Sequence, residues 1–179
     1  RVKWAAMRQR LTAWMALFCQ NMLDISAELA LTDADYADMA LKFVEHYLWI
    51  ASAMGHLGGD TGMWDEDDGF YYDVLRLPDG GAQRLKVRSM VGLIPLFAVE
   101  TLEPEQLDHA PRFRDRMDEI FRNRPELADL VSRWKEPGRS ERRLLSLLRG
   151  HRFKRLLSRM LDEKEFLSDF GIRALSRYH

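Results

Sequence analysis

One stretch of the chain, residues 64–88, interrupts a sequence in which apolar residues otherwise recur at helical spacing. Its sequence is WDEDDGFYYDVLRLPDGGAQRLKVR. Aromatic and branched side chains alternate roughly with polar ones, which is typical of β-strands, and the Pro-Asp-Gly-Gly run at 78–81 is typical of a turn. The stretch therefore predicts a β-hairpin inserted between helices.

The start of this stretch combines carboxylates with aromatic rings. Asp65, Glu66, Asp67 and Asp68 follow Trp64 directly, and three further aromatic residues follow at 70–72. Carboxylates accept hydrogen bonds from hydroxyl groups, and aromatic faces pack on the C–H surface of a sugar ring. We therefore expect a carbohydrate-binding site here, with solvated turn carboxylates as the alternative interpretation of Glu66 and Asp67.

The segment before the hairpin predicts two amphipathic helices. Thr12 is positioned to cap a helix that runs to about Leu31, and a second helix runs from Asp33 or Asp35 to about Met54. The connection is short, so the two helices are expected to pack antiparallel. Large apolar residues repeat every three or four positions and are expected to face the core: Trp14, Phe18, Met22, Ile25 and Leu29, then Tyr36, Met39, Phe43, Tyr47, Ile50 and Met54.

Further helices are expected after the hairpin. Ser89 is positioned to cap an apolar helix, MVGLIPLFAVETL, that Pro95 kinks. Residues 112–123 predict an amphipathic helix, Pro125 starts another short helix, and residues 144–161 predict a basic helix or a broken pair of helices. The sequence thus predicts a mainly α chain of antiparallel helix pairs, arranged as a toroid or as an open solenoid. The 179 residues suit one domain, and because the first is Arg rather than Met we expect a piece of a longer protein.

Composition and motif searches exclude several classes of function. Lys plus Arg number 27 against 28 for Asp plus Glu, and the basic residues of 139–159 form the polar side of an amphipathic pattern. We interpret that side as a solvated helix face and predict no nucleic-acid partner. No apolar stretch approaches the ~20 residues of a membrane helix. The single Cys19 predicts a buried thiol and a cytoplasmic, reducing location.

Metal and cofactor sites are not predicted either. Gly69 follows the acidic run too early for a calcium-binding EF-hand loop, and no glutamate stands where that loop needs one. The five histidines lack metal-ligand spacing, and GxGxxG, GxxxxGK and GxSxG are absent. Adjacent carboxylates on a strand point to opposite faces, so no neighbouring pair is assigned to acid–base catalysis.

Three segments together resemble one enzyme family: residues 64–73, residues 86–98, and residues 166–179 apart from Asp169 and Phe170. They resemble glycoside hydrolase family sixty-three, the glycosidases related to processing α-glucosidase I and mannosylglycerate hydrolase. The resemblance extends from about Thr12 to His179. It implies an (α/α)6 toroid and inverting hydrolysis of α-linked glucosides or related sugars, in which one carboxylic acid protonates the leaving oxygen and a distant carboxylate activates water.

The same resemblance implies that neither catalytic carboxyl belongs to this chain. The family carries Asp-Gly, with the Asp as general acid, directly before the Thr-Ala-Trp-Met that stands here at 12–15, where this chain has Arg10 and Leu11. Arginine cannot donate a proton at neutral pH. The family's general base follows the segment that resembles residues 171–179. Residues 1–179 are thus expected to form a single partial domain, with the hairpin insertion at 64–88, that lacks turnover and needs no cofactor.

The resemblance also implies which residues contact the sugar. These candidates are Trp14, Trp64, Asp65, Tyr72, Asp73 and Arg88. Trp14 has an alternative place in the core, and Arg88 in an ion pair with a hairpin carboxylate. A partial toroid would expose apolar faces on residues 12–54 and 90–102, so self-association is expected. The alternative function is a non-enzymatic helical module that binds a protein partner through the hairpin edge.

Overall fold

The structure is a computed structural model, and it describes most of the chain: residues 2–56, 62–77, 79–125, 127, 136–148 and 150–179. Side chains of residues 2–11, 55, 56 and 76 are outside the described set. Arg10 and Leu11, which stand where the family has its general acid, are therefore known here only as backbone within a helix.

Two helices, α1 (Val2–Leu29) and α2 (Tyr36–His56), form the largest unit. They pack against each other along their length. A tight turn joins them, in which the Asp33 carboxylate accepts the N–H of Asp35 at 3.1 Å. The predicted antiparallel pair is confirmed. The predicted cap is wrong, because α1 starts well before Thr12 and that residue lies inside the helix.

The predicted core face of α1 is also wrong. Ala16 and Leu23 are fully buried, whereas Trp14 is 46%, Phe18 50% and Ile25 51% exposed. Helix α1 has two apolar faces, and residue spacing alone does not show which of them is buried. The face of small residues is buried because it lets a neighbouring helix approach closely. This buried face consists of Ala13, Ala16, Cys19, Leu23, Ala27 and Ala30.

The core face of α2 is predicted in part. Tyr47 and Met54 are buried as expected, but Tyr36 and Met39 are exposed. The hydroxyl of Tyr47 donates to the carbonyl of Ala98 at 2.8 Å, which satisfies the polar end of a buried ring. The core of α2 thus combines small residues facing α1 with one aromatic residue facing the following segment.

The predicted hairpin is confirmed, as two successive antiparallel ribbons. Strand β1 (Trp64–Asp65) pairs with β2 (Phe70–Tyr71), and β3 (Asp73–Arg76) pairs with β4 (Ala82–Leu85). The turn between β3 and β4 is closed by the Leu77 N–H, which donates to the Gly81 carbonyl at 2.8 Å.

The helix predicted for residues 90–102 is wrong. A 3-10 helix, Met90–Leu96, is followed by strand β5 (Val99–Leu102), which pairs antiparallel with β6 (Arg143–Ser146). Pro95 lacks the N–H that a longer α-helix needs, which favours this short form. Residues 92–96 are all buried, so most of the apolar surface that a partial toroid was expected to expose at 90–102 lies in the core instead.

The remaining elements follow local patterns more closely. Helix α3 (Pro104–His109) leads into α4 (Pro111–Asn123), which confirms the predicted helix at 112–123. Helix α5 (Gly150–Met160) confirms the later part of the helix or broken pair predicted at 144–161, whereas residues 144–146 belong to strand β6 (Arg143–Ser146). A last ribbon pairs β7 (Leu167–Ser168) with β8 (Gly171–Ile172). The short helix predicted after Pro125 lies largely outside the described residues.

The fold is thus mainly helical with several short antiparallel ribbons. In the part of the chain that the structure describes, no helix has the length and apolar character needed to cross a membrane.

Glu100 on β5 provides a test of the packing between α1 and this ribbon. Its carboxylate accepts hydrogen bonds from Gln20 at 2.5 Å and from the Thr101 N–H at 2.8 Å. Burial raises the pKa of Glu100 above its ordinary value, and the nearby charge of Asp24 adds to the effect. The folded state therefore keeps this proton to higher pH than the unfolded chain, so stability is lost as pH rises from the unfolded pKa toward the folded one.

We therefore expect Glu100→Gln to raise the free energy of unfolding at pH 7, and the gain to disappear well below the ordinary glutamate pKa of 4.5. Urea unfolding of the unchanged chain and of Glu100→Gln, at pH 7 and at a pH well below 4.5, measures the difference. Glu163→Gln is the matched control, because Glu163 is exposed. A loss of stability in Glu100→Gln at pH 7 would contradict the prediction.

Candidate functional site

Arg88 is the residue at which the three resemblance segments meet. Its guanidinium donates to the Tyr72 hydroxyl at 3.1 Å, to Asp68 at 3.3 Å and to Glu165 at 2.7 Å. The residue is only 7% exposed. Each segment supplies at least one partner or neighbour of this cation. We call the polar and charged residues around it the Arg88 junction; it comprises Asp65, Asp68, Tyr72, Lys86, Arg88 and Glu165.

The end of the chain lies along the backbone of Arg88. The Ser176 N–H donates to the Arg88 carbonyl at 2.9 Å, and the Arg88 N–H donates to His179 Nε2 at 2.9 Å. The ring of Tyr178 lies 4.0 Å from the Arg88 guanidinium, at cation–π distance. The C-terminal segment therefore satisfies both the backbone and the side chain of this residue.

The acidic turn between β1 and β2 supplies the anionic side of the junction. Asp65 is 4% exposed and accepts the N–H of Asp68 at 2.9 Å. The Lys86 ammonium lies 3.1 Å from the Asp65 carboxylate and 2.9 Å from that of Asp68. Aspartate suits this place in the turn because its carboxylate accepts a backbone N–H that a carbonyl oxygen would otherwise accept.

The charges of these two carboxylates follow from their neighbours. Burial raises the pKa of Asp65, but the Asp68 N–H and the Lys86 ammonium outweigh it and leave the pKa below its ordinary value. The Lys86 ammonium lowers the pKa of Asp68 against the effect of burial, with help from Tyr72 and Arg88. Both groups are therefore ionised at neutral pH, and neither has a proton to donate as a general acid.

Helix α5 covers the outer side of the acidic turn. Arg152 lies over the indole of Trp64 at 5.1 Å and binds Glu66 at 3.0 Å. Arg155 donates to the carbonyl of Asp67 at 2.8 Å, and Arg159 to that of Asp68 at 2.8 Å. The predicted solvated basic face of α5 is present only in part, because Arg152, Arg155 and Arg159 bind the acidic turn while their side chains stay 32%, 40% and 23% exposed. The spacing of these arginines places them on one side of the helix, where the acidic turn neutralises them.

The predicted sugar-contacting residues divide into accessible and buried ones. Trp14 lies on α1 with its side chain 46% exposed, and Asp73 on β3 is half-buried beside a small enclosed cavity. The other four lie in the hairpin region, and all are buried: Trp64 (5% exposed), Asp65 (4%), Tyr72 (2%) and Arg88 (7%). Sequence reasoning already gave Arg88 an ion pair as its alternative role, and that ion pair is present.

Burial also affects the alternative function. A hairpin edge that binds a protein partner would present its aromatic residues, but Trp64, Tyr71 and Tyr72 are buried and Arg152 lies over the Trp64 ring. The described residues therefore offer no observation that favours this alternative.

Sequence reasoning missed Glu165. This buried carboxylate binds Arg88 and Arg159 and accepts the hydroxyl hydrogen of Ser176 at 2.6 Å. The available signal was its position directly before the 166–179 resemblance segment, together with an unpaired surplus of arginines nearby in the sequence. A buried carboxylate among cations is expected to be paired, and two arginines share this one.

Comparisons with known proteins find one long stretch of similarity. The chain is 43% identical over 181 residues to the uncharacterized protein YMR196W of Saccharomyces cerevisiae, an alignment that covers 94% of this chain and 16% of that protein. The chain therefore spans about a sixth of the length of the curated relative it matches. No protein-family model matches the chain. No solved structure matches it significantly.

Proposed function

We propose that the chain is part of the catalytic domain of an inverting glycoside hydrolase for α-linked glucosides or related sugars. In this proposal it supplies substrate contacts and neither catalytic carboxyl. The observation that supports it is the convergence of the three resemblance segments at Arg88, whose side chain binds Tyr72 of the first segment and whose backbone binds Ser176 and His179 of the third. Charged groups are costly to bury, so a buried junction that all three segments contact favours a shared role in positioning a site.

The proposed architecture is an (α/α)6 toroid of which α1 and α2 form one helix pair. The antiparallel pairing of these helices fits the repeating unit of such a ring. The much greater length of the yeast relative supports the presence of further helix pairs beside it. The remaining pairs and the catalytic carboxyls would come from polypeptide outside the 179 residues.

Within the proposed site, the buried junction positions the hairpin and accessible groups contact the sugar. Trp14 is the candidate with a largely accessible ring, and a half-exposed indole can stack on one face of a pyranose. Asp65 and Asp68 stay ionised because cations surround them, so they hold the hairpin in place rather than transfer protons.

Binding of a simple sugar tests this proposal. We expect the chain to bind methyl α-glucoside weakly and methyl β-glucoside less well, in saturation-transfer NMR titrations. Trp14→Ala is expected to weaken binding about fivefold, since aromatic stacking contributes about 1 kcal/mol.

Trp49→Ala is the matched control, because Trp49 is 70% exposed on α2 and is not one of the candidate sugar-contacting residues. Absence of α-glucoside binding, or equal losses in the two variants, would overturn the proposed site.

A further inference from the structure

The α1–α2 pair exposes a set of large apolar side chains on both of its helices. Their exposed fractions range from 38% for Tyr36 to 70% for Trp49. We call this surface the apolar face. Its exposed members are Met15, Phe18, Ile25 and Leu29 from α1, and Tyr36, Met39 and Trp49 from α2. Single exposed apolar residues are ordinary, but monomeric proteins rarely expose contiguous patches beyond about 300–600 Å².

The residues of α1 on this face follow the spacing of a coiled coil. Met15, Phe18, Met22, Ile25 and Leu29 alternate steps of three and four along four turns. This spacing keeps one seam of side chains facing a second helix, whose own side chains fit between them. All five positions are apolar, so the seam is complementary to another copy of itself and needs no oppositely charged partner.

A groove beside the seam adds room for side chains from a partner. It lies between α1 and α2, has a volume of about 550 Å³, and is lined by Phe18 and Cys19 on one helix and by Phe43, Trp49 and Ile50 on the other. The rings of Phe18 and Phe43 meet edge to face at 6.5 Å across it. Grooves of this kind accept the ridge of side chains of a packed helix.

The apolar face has about the area that each partner buries in a stable dimer. Large side chains carry about 150–250 Å² each, so seven residues that are about half exposed amount to roughly 700 Å². A standard interface buries about 800 Å² per partner. We propose that two copies of this 179-residue chain associate through the apolar face, with their α1 seams packed against each other around a two-fold axis. This association does not rest on the proposed glycosidase function.

Sedimentation equilibrium between 1 and 100 µM tests the association. We expect twice the monomer mass of 21.0 kDa. Phe18→Glu combined with Ile25→Glu is expected to weaken association at least a hundredfold without loss of helical circular dichroism, because both side chains are about half exposed. Phe170→Glu is the matched control, because this fully exposed phenylalanine lies on the β7–β8 turn, away from the seam.

A chain that stays monomeric at 100 µM would overturn the proposal, as would a dimer that persists in the double variant. Cross-linking then tests the seam itself. Met22 lies at the middle of the seam, so Met22→Cys is expected to form a disulfide-linked dimer on mild oxidation. The unchanged chain is expected to remain uncross-linked, because Cys19 is buried and burial raises its thiol pKa. A non-covalent dimer in which Met22→Cys does not cross-link would overturn the seam arrangement.

Discussion

Replacing Arg88 by methionine is expected to lower the free energy of unfolding by about 3 kcal/mol. Methionine fills much of the same space but removes one of the two cations that bind Glu165, whose side chain is 10% exposed, and leaves Arg159 as the other. It also removes the donors to Asp68 and to the Tyr72 hydroxyl. A buried charge that loses its partner costs more than the lost bond itself. Urea unfolding at pH 7, followed by circular dichroism, measures the change.

Arg116→Met is the matched control. Arg116 binds Glu119 at 2.8 Å, but both side chains are nearly half exposed, so the same substitution is expected to leave the unfolding midpoint unchanged. In a Glu165→Gln background, Arg88→Met is expected to cost less, because a neutral amide needs no cation. Equal losses at Arg88 and Arg116 would show that the Arg88 junction does not stabilise the fold.

Replacing Gly92 by alanine is expected to lower the free energy of unfolding by about 2–3 kcal/mol. An added Cβ would lie 2.4 Å from Cε1 of Phe70 and 2.5 Å from the carbonyl oxygen of Tyr71. A carbonyl of strand β2 cannot rotate away as a flexible side chain can. The 3-10 helix would therefore have to move from β2 and disturb Phe70, whose ring stacks on Phe166 at 5.8 Å. Thermal and urea unfolding both report the loss.

The control for this substitution is Gly150→Ala at the start of α5. In the described structure nothing lies within 4 Å of the Cβ that alanine would add there. Alanine also restricts the unfolded chain more than glycine does, so stability is expected to stay constant or to rise slightly. If both glycine variants lose the same stability, close packing of Gly92 against β2 is not the cause.

Local patterns account for the parts of the fold that the sequence predicts well. The hairpin at 64–88 and helix α4 depend on alternation, turn residues and spacing within a few positions. The core face of α1 depends on the rest of the molecule, because the helix has two apolar faces and only the small-residue face allows close packing. The helix predicted at 90–102 is wrong for a related reason. Strand β5 pairs with β6, some forty positions away, and this pairing overrides an apolar pattern that suits a helix.

The candidate site was predicted from the resemblance and from residue chemistry rather than from spacing. Most of its candidates lie in the hairpin region, and four of them are buried there. Glu165 and the arginines of α5 escaped prediction because an ion pair between distant segments leaves no periodic signal in either one. The contact from Arg159 to the acidic turn, for example, spans 91 positions.

The long sequence separations at the Arg88 junction bear on the order of folding. Arg88 binds Glu165 across 77 positions and His179 across 91, whereas the helix pair and the ribbons at 64–85 form between near neighbours. Closing a long loop costs chain entropy before the contacts that stabilise the closed loop can form. The junction is therefore expected to assemble late, after the transition state has formed around the helices. Weakening it would then accelerate unfolding and leave the refolding rate almost unchanged.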